Sequence, residues 1–233
     1  MSSLLNTSNR HLLRHPDNAN LRLYYDDTFE GFPLMVEKGP FIREYLSRLR
    51  HTIELAMAEY PRLLVFRVDL RLPRDLDLPE YAYTNEVISR FFESFKAKIE
   101  YDRIKARGLS RFSRGSRVRY VWSREHGRGG RPHYHVLILL NHDAYHVVGK
   151  LLSRRANNLR RMEEAWASAL GSSVEQMDGL VNIPERATYR IFQETSEDEV
   201  DELSQLFHRA SYLCKAATKS YGDRQRGFDT SRG

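Results

Sequence analysis

At 233 residues the chain is long enough for one well-packed domain with elaborations, and 41% hydrophobic against 29% charged residues excludes a disordered chain. A single cysteine, Cys214, excludes an internal disulfide and a thiolate zinc cluster, so any metal must be held by histidines and carboxylates. The net charge of +6 and a pI near 9.4 favour an anionic partner, nucleic acid being the commonest for a basic protein.

The N-terminal MSSLLNTSNRHLLRHPDN breaks its apolar run too early for a signal peptide, and no stretch approaches membrane-spanning length. A cytoplasmic protein with no membrane partner is expected. Residues 1–40 read as an N-terminal extension, with LRLYY at 21–25 and FPLMVE at 32–37 as the two strands of a possible hairpin around DDTFEG. From Phe41 to Tyr60 apolar residues recur at helical spacing until Pro61 stops them. RLLVFRVDLRLP then alternates Val65, Arg67, Asp69 and Arg71 against Phe66, Val68 and Leu70, the pattern of a half-buried strand and a candidate for the sheet's centre.

A second helix is expected from an N-cap at Thr84 to just before Gly108, burying Val87, Ile88, Phe91, Phe92, Phe95 and Ile99. RVRYVWSRE and PHYHVLILLN, joined by the glycine-rich HGRGGR, read as a hairpin. A long helix from about Tyr145 to Leu170, short strands in LVNI and TYRIFQ, and a last helix from about Glu197 to Lys219 follow. A main domain of 41–221 and a basic tail of 222–233 complete the organisation. No phosphate-binding loop occurs, so no fused ATPase is expected.

Two constellations carry chemistry. His133 and His135 lie two apart on a strand, so both imidazoles face one side and can share an ion. The hairpin folds Glu125 back beside His133, giving two imidazoles and a carboxylate with open positions for substrate oxygen. Alternatively Glu125 is a solvated turn carboxylate paired with Arg124 or Arg128, and His126 is a rival third ligand. In SYLCKAATKSY, Tyr212, Lys215 and Lys219 stand at i, i+3 and i+7, one face of a helix. A phenol flanked by cations is easier to ionise, which suits a nucleophile; otherwise the tyrosine packs on the core and the lysines are solvated. Tyr221 is a competing nucleophile.

Together these segments resemble the HUH endonuclease superfamily, in which a His-hydrophobe-His strand binds a divalent ion and a Tyr-x-x-Lys helix supplies the nucleophile. More closely, RVDLRLP, YVWSREHGRGGRPHYHVLILLN and ASYLCKAATKSYG resemble the three blocks of the inovirus gene-two-like replication protein family, also called the YagK/YfjJ C-terminal domain family. The resemblance spans roughly Phe41 to Arg232. It implies an α+β fold, a central antiparallel sheet of about five strands flanked by helices in an RRM-like or ferredoxin-like topology, with the His strand in the middle.

The implied activity is a single-stranded DNA nicking and rejoining enzyme that initiates rolling-circle replication of a phage, plasmid or prophage-like element in a bacterial host. His133 and His135 match the metal pair, with Mg2+ or Mn2+ as the ion; Tyr212 matches the nucleophile and Lys215 the motif lysine. Glu125 falls at the usual place of a third ligand. Arg67, Arg71, Arg117, Arg119, Arg128, Arg131 and Lys219 are the candidate DNA contacts. The implied partners are single-stranded origin DNA, a hairpin among its forms, and a host helicase and polymerase. A non-catalytic DNA-binding regulator and a metal hydrolase using water are the competing readings.

Overall fold

A computed structural model describes residues 12–127, 130–146, 148, 157–193, 197–219, 221 and 224–232. Its N-terminal part is made of short pieces: β1 (Arg14–His15), β2 (Asn18–Tyr24), β3 (Thr28–Phe29), β4 (Phe32–Pro33) and β5 (Phe41–Ile42). The expected hairpin between 21–25 and 32–37 does not form. β2 pairs instead with β1 and β5, while β3 and β4 close a separate two-residue ladder. Leu34 and Phe29 explain the difference, since both are buried and pull this segment down onto the body of the protein.

Helix α1 (Arg43–Glu59) starts two residues later than its apolar pattern suggests, because Phe41 and Ile42 pair with Tyr24 and Leu23. Strand β6 (Arg62–Arg71) follows, then α2 (Glu86–Leu109), which buries the six apolar residues expected of it and runs one residue past Gly108. The residue before the first turn of α2 is Asn85 and not the expected Thr84, although the Thr84 hydroxyl still accepts the Glu86 amide. Strands β7 (Arg119–His126) and β8 (Pro132–Asn141) form the expected hairpin. Helix α3 (Asn158–Leu170) is shorter than the span 145–170: Tyr145 instead ends a turn, its amide bonded to Asn141 O and its hydroxyl donating to Asp102. Positions 147 and 149–156 of that span lie outside the described residues. Strands β9 (Val181–Asn182) and β10 (Thr188–Phe192), helix α4 (Glu197–Ala210) and strand β11 (Phe228–Thr230) complete the chain.

The main sheet has six strands and is antiparallel, ordered β10-β6-β8-β7-β11 with β9 also on β6, so the His strand β8 is central. The protein is α+β, as the sequence implies. Strand alternation divides its core in two. One face, with Leu64, Phe66, Val68, Val136, Ile138 and Leu140, packs on α2 and α3. The other face, with Leu63, Val65, Val121, Leu137 and Leu139, packs on α1, α4 and residues 213–216. Among the described residues no helix is long and apolar enough to cross a membrane.

Candidate metal centre

Register builds the site. Antiparallel pairing sets His133 between Arg71 of β6 and Glu125 of β7, and His135 between Asp69 and Ser123. Because side chains alternate, all six residues share the face that carries Leu137 and Leu139 further along β8. The β7–β8 turn is closed by the Gly127 amide on Arg131 O at 3.1 Å and the Gly130 amide on Gly127 O at 2.9 Å. Gly130 sits at φ +72°, a conformation that costs a side-chain-bearing residue energy.

Glu125 Oε2 lies 3.5 Å from His135 Nε2 and 3.9 Å from His133 Nε2, and the three donor atoms fall within 4.8 Å of one another. Glu125 and His135 are buried while His133 is half-buried, so the cluster opens toward solvent on the His133 side. His135 Nδ1 is 2.7 Å from Asp69 Oδ1 and 2.8 Å from Arg67 Nη2. Only one of these can be a good hydrogen bond. An ionised carboxylate oxygen can only accept, so the 2.7 Å contact requires the ring to donate Nδ1–H to Asp69, leaving Nε2 as a lone pair. That buried Nε2 has no hydrogen-bond partner. An orphaned imidazole lone pair beside an ionised carboxylate, its ring fixed by a second carboxylate, is the donor set a cation completes.

The electrostatics agree with ligands ready for a cation. Burial alone would raise the Glu125 carboxyl, but the Lys219 and Lys215 ammonium groups beside it outweigh that and hold the group far below the usual carboxylate range. Burial lowers His133 to about 4, so its ring is neutral near pH 7. Asp69 is likewise held low: burial opposes ionisation, and the His135 bond and Arg67 overcome it.

The segment after α4 departs from the expected helix. The helix ends at Ala210, Ser211–Cys214 form one 3-10 turn, and Lys215 makes a β-bridge to Phe41 while the Ala216 amide bonds Pro40 O at 2.8 Å. Ser211 also holds the turn, its hydroxyl donating to His208 O and accepting the Met35 amide. Pairing with the strand before α1 thus replaces the last two helical turns. Tyr212, Lys215 and Lys219 still converge, through Glu125 rather than through a helix face. Lys215 Nζ stands 3.1 Å from Glu125 Oε2 and 3.7 Å from the Tyr212 ring centroid. The Tyr212 ring is 5.3 Å from that of His135 and 4.8 Å from the Arg67 guanidinium carbon. Lys219, expected to reach DNA, is instead wholly buried with Nζ 3.4 Å from Glu125 Oε1, and burial lowers it to about 8.

The expected arginines divide. Arg67 is in the site, Arg71 is exposed opposite His133, and Arg131 donates to Pro73 O beside it. Arg117 and Arg119 are at the far end of β7, where Arg119 is buried on Glu59 at 2.8 Å and Arg117 lies 3.6 Å from the same carboxylate. Arg128 lies outside the described residues. His126, two positions from Arg124 on β7, faces the opposite side of the sheet. Tyr221 hydrogen-bonds Tyr45 at 3.0 Å, and burial and that bond raise its phenol well above the ordinary value. The residue that sequence reasoning missed is Asp69. Its signal was a lone carboxylate between Val68 and Leu70, flanked by Arg67 and Arg71 on the same strand face.

Fold and site together define an α+β protein whose central antiparallel sheet carries a histidine–carboxylate centre with a tyrosine beside it. Residues 24–231 match the family described as "YagK/YfjJ C-terminal domain", and the chain belongs to that family. It is 35% identical over 205 residues to the uncharacterized protein YfjJ of Escherichia coli (strain K12), covering 84% of this chain and 98% of the relative. It is also 35% identical over 201 residues to the uncharacterized protein YagK of the same strain, covering 83% and 95%. No solved structure matches.

Proposed function

We propose that this chain is a metal-dependent, tyrosine-nucleophile endonuclease of the HUH type, related to the inovirus gene-two-like replication proteins, which nicks single-stranded origin DNA to start rolling-circle replication. The observation that carries this reading is the Tyr212 ring 5.3 Å from His135, next to the Glu125–His133–His135 cluster and under Lys215. A structural centre alone would need no half-exposed tyrosine there.

His133, His135 and Glu125 would hold Mg2+ or Mn2+, which when bound polarises the scissile phosphate as a Lewis acid. Asp69 keeps the His135 ring in the ligand tautomer. Lys215 contacts Oε2, the Glu125 oxygen that faces both imidazoles, whereas Lys219 takes Oε1. With Glu125 among the residues that would hold the ion, Lys215 would be free to turn its ammonium to Tyr212 and the phosphate, while Lys219 keeps the carboxylate in place.

The phenol oxygen of Tyr212 bonds to phosphorus as the bond from phosphorus to the 3′ oxygen breaks. The phenol proton is balanced by the proton that the leaving 3′ oxygen gains, and the products are a 3′-hydroxyl and a 5′-phosphotyrosine. One phosphodiester replaces another, so the same site can run the step backward and rejoin an end. The 3′-hydroxyl primes a host polymerase; without a phosphate-binding loop in this sequence, unwinding falls to a host helicase.

The test is incubation with single-stranded origin DNA and Mn2+, read on a denaturing gel. A protein–DNA adduct that vanishes in Tyr212→Phe is expected. Absence of cleavage across origin substrates favours a DNA-binding regulator, cleavage without an adduct favours a water nucleophile, and an adduct surviving Tyr212→Phe moves the attack to another residue.

A further inference from the structure

A second charged feature lies about 20 Å from the metal centre, taking the six residue steps of β7 from Arg119 to Glu125 at roughly 3.3 Å each. There the C-terminal half of α2, residues 115–118 and residues 229–232 enclose an open groove of about 790 Å³. Five cations line it, Lys96, Arg103, Arg107, Arg117 and Arg232, against two carboxylates, Glu100 and Asp229. Asp229 is already held by Arg48 and Arg226.

The excess is not an accident of one side chain. From Arg103 to Arg117 the chain carries six cations and no carboxylate, with Arg111, Arg114 and Arg117 spaced by three. Among the described residues no carboxylate lies within 4.0 Å of Lys96, Arg107, Arg111, Arg114 or Arg232. Burial and the nearby Arg117 both lower Lys96, so like charges have been brought together where a bound anion would relieve them. The same stretch exposes apolar surface that folding leaves uncovered. Phe112 is 76% and Leu109 89% exposed, with Arg111 over the phenyl ring.

We propose that this groove and the 103–117 segment form a binding surface for single-stranded nucleic acid, distinct from the metal centre. Cations without carboxylate partners track a phosphodiester backbone, and an exposed aromatic ring gives unpaired bases a surface on which to stack. A small polyanion would use the charges but not the ring. The inference rests on the reading of DNA as substrate, but on neither the metal nor Tyr212.

The experiment is fluorescence anisotropy of a labelled single-stranded oligonucleotide in EDTA, with the full chain and Arg107→Ala/Arg114→Ala/Arg117→Ala. All three arginines are exposed, and circular dichroism checks that the variant stays folded. Affinity should fall on the order of 10- to 100-fold, and the slope of log K against log salt should lose about 2, at ~0.7 per phosphate contact. The triple Arg→Lys variant should restore the slope, because lysine still neutralises phosphate. The proposal is overturned if the alanine variant binds as the parent does, if duplex of the same sequence binds more tightly than the single strand, or if tripolyphosphate binds the parent as tightly as the oligonucleotide. Loss of binding in the variant with no cleavage by the parent protein would sink the nuclease reading and leave this surface standing.

Discussion

The two halves of one sheet face follow the same alternation and end in opposite chemistry. Where β6, β8 and β7 run under α1 and α4, the inward residues are Leu63, Val65, Leu137, Leu139 and Val121, a dry core. A few residues along the same strands the inward residues become Arg67, Asp69, His133, His135, Ser123 and Glu125. The dry half is covered by regular helices; the charged half is covered by the irregular segment 211–219. Burying apolar side chains needs only close packing, whereas buried charges need partners at particular angles, which the chain supplies by leaving the helix. Leaving the helix at Ala210 is what brings two lysines onto one carboxylate.

The largest effect expected is in the charged half. Tyr212→Phe removes the oxygen of the proposed nucleophile and little else, so cleavage and adduct formation should drop on the order of 10⁴-fold or more, with metal affinity unchanged by calorimetry. Equal loss of metal binding would mean that the tyrosine is packing rather than chemistry.

The two halves can next be set against each other by stability. Leu137→Ala opens a cavity in the dry half and should cost about 2–5 kcal/mol at every pH. Glu125→Gln leaves Lys215 and Lys219 buried without their anion and should cost about 3–5 kcal/mol in metal-free protein near neutral pH. The Glu125 carboxyl is depressed in the folded chain, so its contribution is complete above the unfolded value of about 4.3 and is lost as pH falls below it. Urea titrations at neutral and acidic pH should therefore show the Glu125→Gln deficit shrinking below about pH 4.3 while the Leu137→Ala deficit persists. Parallel curves would show that Glu125 stabilises by shape and not by charge.

How much of this could be read in the sequence follows the same division. The dry half was legible: the stripe of α2, the alternation of β6 and the hairpin of β7 and β8 are periodic signals that packing only reinforces. His133, His135 and Glu125 were legible too, because a strand and a tight turn fix which residues face each other. The cover was not. Nothing local distinguishes a helix running to Lys219 from one that stops at Ala210, since the stop depends on Phe41 and Pro40, about 170 residues earlier. Nor could pattern show Asp69 bonded to His135, a contact set by cross-strand register.

A smaller effect tests that contact. Asp69→Asn keeps the volume but removes the charge that fixes the His135 tautomer, so Mn2+ affinity should fall about 10- to 100-fold. At Mn2+ near 100 times its dissociation constant the parent should gain about 2.7 kcal/mol, or roughly 5–11 °C in Tm, a shift that EDTA reverses. The variant should show a clearly smaller shift at the same Mn2+ concentration. An identical shift would mean that Asp69 serves Arg67 alone.

The smallest effect separates the two tyrosines of the C-terminal segment. Tyr221 touches the dry half: its hydroxyl bonds Tyr45, and its ring meets His15 edge-on at 4.7 Å. Tyr221→Phe deletes one hydrogen bond and no ring, so it should cost about 0.5–1.5 kcal/mol in urea unfolding and leave the covalent adduct at parental yield. Tyr212→Phe should give the mirror result, an adduct lost at nearly unchanged stability, because that ring stands beside His135 and Lys215 at the edge of the charged half. If the two variants exchange phenotypes, the nucleophile lies with the dry half and the division of the face is not the division of function.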